Sequence, residues 1–84
     1  MNAQALEALI EANIDNTKAI VKSDDNVHFE AIVISDSFNS IASRVKRQQM
    51  VYKALGDKIA TGEVHALQLQ TFTPNVWERK QQSK

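Results

Sequence analysis

Two side chains in this sequence have the chemistry of soft-metal ligands, His28 and His65, and no cysteine joins them. A neutral imidazole can bind iron through a ring nitrogen. Without thiolates the chain excludes a disulfide-stapled fold and a Cys-ligated zinc module, and an iron–sulfur cluster would draw its thiolates from elsewhere. Each histidine has an ordinary reading as well. His65 falls in an alternating segment, where a half-buried imidazole bonds to backbone, and His28 falls at a hairpin exit, where it can be structural or solvated. A second group is basic: Arg44, Lys46, Arg47 and Lys53 fall in one segment. Such cations can contact phosphate backbones, with Gln48 or Gln49 reading adenine edges. They can equally meet an acidic partner or form a solvated helix face. No Ser-His-Asp order, Gly-rich phosphate loop or paired-carboxylate motif is present, and the Asp24-Asp25 turn has too few nearby oxygens for a calcium loop. The chain reads as non-enzymatic.

These residues must be positioned by a single small domain spanning residues 1–84, since 84 residues allow no second one. An apolar fraction of 43% with 24% charge lies in the globular range. No apolar run approaches the roughly 20 residues of a membrane span, and the amphipathic start carrying Glu7 and Glu11 differs from a signal peptide, so the expected compartment is the cytoplasm. The net charge of zero hides an asymmetry: −5 from Met1 to Ser43 and +5 from Arg44 onward. That split can steer an anionic partner to one end of the molecule, yet a nucleic-acid binder usually carries an overall basic excess.

Periodicity supplies the elements. Asn2 to Asn13 reads as a helix with Asn2 as cap and Leu6, Leu9, Ile10 and Asn13 along one stripe. Thr17–Lys22 and Val27–Ser35 read as strands of an antiparallel hairpin around the polar turn 23–26, the second being rich enough in β-branched residues to be central. Asp36 to Ser40 is polar apart from Phe38. A long helix is expected from Ile41 to about Thr61, capped by Ser40, with Ile41, Val45, Tyr52, Leu55 and Ile59 buried and Gly62 as its C-cap. Gly56 is a possible break in it. Val64–Phe72 alternates as a third strand, and Thr73-Pro74 opens a last helix that Phe72 and Trp77 anchor to the sheet. The order α-β-β-α-β-α implies an α+β domain, a three-stranded sheet with helices packed on one face.

Several stretches together resemble the BolA family. Val27-His28-Phe29 and Val33-Ile34-Ser35-Asp36-Ser37-Phe38 are similar to its second strand and the turn after it. Arg44-Val45-Lys46-Arg47-Gln48-Gln49-Met50-Val51-Tyr52 looks like its long-helix signature, within the bacterial acid-stress (IbaG or YrbA) type. Val64-His65-Ala66-Leu67, Thr73-Pro74 and Trp77 resemble its C-terminal signature. The resemblance implies a fold like the class II KH domain, although this chain lacks the Gly-x-x-Gly that clamps a nucleic-acid backbone, which weakens an RNA-binding reading. It implies a partnership with monothiol glutaredoxins in which a [2Fe-2S] cluster is shared, with glutathione supplied by the partner and no cofactor on the chain alone. His65 then occupies the cluster-ligating position, and His28 lies near the family's second, variable one. The competing implication is DNA binding and transcriptional control of stress and envelope genes through the basic helix. Without its partner the chain is expected to be a monomer or weak homodimer.

Overall fold

The computed structural model describes residues 1–59, 61, 62, 64 and 66–82. Helix α1 (Ala3–Asn13) starts where the cap predicts, because Asn2 Oδ1 accepts the Ala5 N–H at 2.8 Å. Its stripe of Leu6 and Ile10 is fully buried, with Leu9 packed at the margin. Strands β1 (Thr17–Lys22) and β2 (His28–Ser35) pair antiparallel, from Thr17 opposite Ser35 to Lys22 opposite Glu30. Their turn passes through Asn26 at φ 60°, a left-handed conformation that asparagine tolerates better than most residues. Strand β3 (Ala66–Phe72) pairs parallel with β2, from His28 opposite Ala66 to Ile34 opposite Phe72. The sheet order β1-β2-β3 puts β2, the longest strand, in the centre, as expected.

Alternation along the strands then sorts the side chains. Ala19, Val21, Phe29, Ala31 and Val33 turn to one face, where α1 and the second helix, α2 (Arg44–Ala54), cover them. This is the expected helical layer. The intervening residues face the other way in three cross-strand rows: Lys18, Ile34 and Phe72, then Ile20, Ile32 and Gln70, then Lys22, Glu30 and Gln68. Helix α3 (Pro74–Gln82) reaches the first of those rows. Its first turn is held by Thr73, whose Oγ1 accepts the Val76 N–H at 3.4 Å, and Trp77 stands against Phe72 with ring centroids 5.4 Å apart. The expected aromatic anchor of the last helix is therefore present.

The middle of the chain differs from expectation. Ser43, not Ser40, caps α2, accepting the Lys46 N–H at 3.3 Å. The residues before it form a short 3-10 turn, Asp36–Ser40, which buries Phe38 completely. The helix ends at Ala54, after which Gly56 at φ 65° turns the chain into the left-handed region. Gly62, at φ 82°, belongs to a separate turn and caps no long helix. Leu55 is buried as expected, but its companions in the core are Val51 and Ala54, while Val45 is 61% exposed, Tyr52 40% and Ile59 41%. Val45 and Tyr52 lie two turns apart on one stripe, but that stripe faces solvent. No helix among the described residues is long and apolar enough to cross a membrane.

Candidate functional site

The hairpin turn organises His28. Asp25 Oδ1 accepts the N–H groups of Val27 and His28, each at 2.9 Å, while Oδ2 lies 2.7 Å from His28 Nδ1. Ser23 closes the turn, donating to the His28 carbonyl at 2.6 Å and accepting the Asn26 N–H at 2.9 Å. The His28 amide, then its ring, then the Val27 amide hold the Asp25 carboxyl well below the usual carboxylate range. An ionised carboxylate can only accept, so Nδ1 carries the proton and Nε2 keeps the lone pair when the ring is neutral. This is the arrangement by which a carboxylate orients a metal-binding histidine and fixes its tautomer. The His28 side chain is 69% exposed. It borders a depression of about 520 Å³, lined also by Lys22, Glu30, Ala66 and Gln68.

Asp25 is a site residue that residue types alone do not reveal: in the sequence it is one of two acids in a polar turn with too few oxygens for a calcium loop. Its signal is an aspartate three residues before a histidine within a turn cluster. His65 lies outside the described residues. Its successor in the chain, Ala66, is the residue that β3 sets opposite His28.

The basic candidates divide. Arg44, Lys46 and Lys53 are exposed on α2, and among the described residues none of them makes an ion pair. Arg47 instead turns back onto the 3-10 segment. Its Nε donates to the Ile41 carbonyl at 2.6 Å, its Nη2 donates to the Phe38 carbonyl at 3.0 Å, and the guanidinium carbon stands 5.6 Å from the Phe38 ring centroid. It holds the entry to α2. By strand alternation His28 belongs to the face opposite the α1–α2 layer, so the sheet separates the histidine from the α2 cations.

A model of the BolA-like protein family matches residues 2–76. The chain belongs to the BolA family. Over 57 residues this BolA-family chain is 40% identical to the acid stress protein IbaG of Escherichia coli K12, covering 68% of the chain and 67% of IbaG. It is 32% identical over 56 residues to the DNA-binding transcriptional regulator BolA of Haemophilus influenzae, covering 67% of the chain and 52% of that protein. Among solved structures, a BolA homologue from Coxiella burnetii superposes with a TM-score of 0.82 at 32% identity, covering 94% of this chain and 99% of that one. The α+β fold with three helices and a mixed three-stranded sheet is thus the fold of the BolA family.

Proposed function

We propose that this BolA-family chain is a non-enzymatic adaptor of iron–sulfur trafficking in the cytoplasm, binding a monothiol glutaredoxin and sharing a [2Fe-2S] cluster with it through His65 and His28. The observation that carries the reading is the Asp25–His28 pair, which leaves Nε2 as the free, oriented donor of an exposed ring. The donor set fits a shared cluster and not a self-contained one. There is no cysteine, and among the described residues no three metal-capable side chains converge. Imidazole nitrogens would ligate one side, leaving the partner's cysteine and a bound glutathione to supply the thiolates. The test is anaerobic co-expression with a monothiol glutaredoxin from the same cell, read by visible absorption and circular dichroism of the purified complex. His65→Ala and His28→Ala should each change the bands or shorten cluster lifetime while the far-ultraviolet spectrum stays native. A cluster indifferent to both substitutions, or a stable complex without iron, would remove the proposal.

A second reading, a DNA-binding regulator, draws on the unpaired cations of α2 and on the relative named for that role. Binding should then fall steeply with salt, and Arg44→Ala with Lys53→Ala should weaken it on any sequence and reduce the salt slope by about 2. Duplex binding that survives the double change excludes this surface.

A further inference from the structure

The two edges of the sheet are finished differently. On β1 the outward amides are taken: the Ala19 N–H donates to Glu11 Oε2 at 3.0 Å and the Val21 N–H to Glu7 Oε2 at 2.8 Å. Both carboxylates come from α1, and Lys18 and Lys22 add charge along the same strand. Occupied amides and lysines are what keep an edge from pairing with another chain. Strand β3 has neither protection. The Ala66 N–H donates to the Val27 carbonyl at 3.4 Å, which turns the main chain of Ala66 toward β2. By alternation Leu67, Leu69 and Thr71 turn their N–H and C=O groups outward, and among the described residues nothing bonds to them. From Ala66 to Thr73 there is no charged residue and no proline. Leu67 and Leu69, though packed against the core, stay half-exposed because the helical layer ends at this edge.

We propose that β3 is the self-association edge of this chain, two copies pairing their β3 strands antiparallel across a two-fold axis to form one continuous six-stranded sheet. The occupant is a second copy because two-fold pairing sets the strand against itself. A neutral strand meets itself without like charges in opposition, whereas β1 would bring its own lysines together. The chain's net charge of zero adds no long-range repulsion between copies. The junction would join Leu67 and Leu69 of both copies on the core face, and Gln68 and Gln70 of both on the other, where side-chain amides bond to each other. The test reads association of the chain alone, without iron or a glutaredoxin, so its outcome is distinguishable from that of the iron–sulfur reading.

Sedimentation of the full chain over a concentration series, with amide hydrogen exchange followed residue by residue, tests the proposal. The chain should show a monomer–dimer equilibrium. Exchange at Leu67, Leu69 and Thr71 should slow by at least about tenfold as dimer forms, with Ala19 and Val21 unchanged. Gln68→Lys with Gln70→Lys should raise the dissociation constant by about tenfold or more with a native circular dichroism spectrum. A synthetic chain N-methylated at Leu69 should do the same while keeping every side chain. A monomer up to the solubility limit overturns the proposal. So does a dimer that ignores both changes, because its interface then lies elsewhere.

Discussion

Phe38→Ala is expected to lower stability by about 3–5 kcal/mol, a loss comparable to the whole stability of many domains of this size, about 4–13 kcal/mol. The melting temperature should fall by about 15–30 °C. Phe38 is the one aromatic of a polar segment, and its ring is fully enclosed in the core that α1, α2 and the sheet share. Its removal leaves a cavity at the point where the 3-10 turn redirects the chain from β2 toward α2. The control is Val45→Ala, which is expected to change stability by no more than about 0.5 kcal/mol because its side chain is mostly in water. Helical periodicity alone puts Val45 on the buried stripe and would make its removal costly. Thermal melts of both variants decide the matter: equal losses would show that the assigned face of α2 is wrong.

Arg47→Ala should produce the second largest loss, about 2–4 kcal/mol, from two charge-assisted hydrogen bonds to backbone carbonyls and a cation–π contact. One guanidinium satisfies the Ile41 and Phe38 carbonyls and lies over the Phe38 ring, so it ties α2 to the segment that precedes it. Arg47→Lys should recover little, because an ammonium has no planar fork to reach both oxygens. Arg44→Ala, at an exposed and unpaired position on the same helix, should be nearly neutral in urea denaturation. Equal midpoints for the Arg44 and Arg47 variants would contradict the assignment. The contrast also governs how DNA binding is tested. An Arg47 substitution would depress binding by loosening the fold, so the phosphate-facing question belongs to Arg44 and Lys53.

The family, and one residue of the candidate site, were legible before any tertiary contact. The stretches that resemble the BolA family do belong to a BolA-family chain. His28 was recognised at the hairpin exit, but the aspartate that orients it was not. A carboxylate accepting two backbone amides and a ring proton depends on the turn's dihedral angles, which residue types only suggest.

The element order, the β1–β2 hairpin, the Asn2 and Thr73 caps and the central place of β2 were all legible in the amino-acid sequence. All of these rest on local signals within a few residues: a capping oxygen, a proline at the first helical position, a β-branched run between polar turns. Gly56 marked a place where α2 could break, and tertiary structure decided that it does and which face the helix buries. Val45 with Tyr52, and Val51 with Leu55, both suit a helical stripe, and only the position of the sheet selects between them. Arg47 illustrates the same limit. A cation in a basic run carries no mark of whether it will meet solvent or a carbonyl, and here the 3-10 turn brought two carbonyls within its reach. The difference between the sealed β1 edge and the open β3 edge was likewise invisible in the sequence. It arises because α1 packs along β1 closely enough for Glu7 and Glu11 to reach its amides, while among the described residues nothing does so along β3.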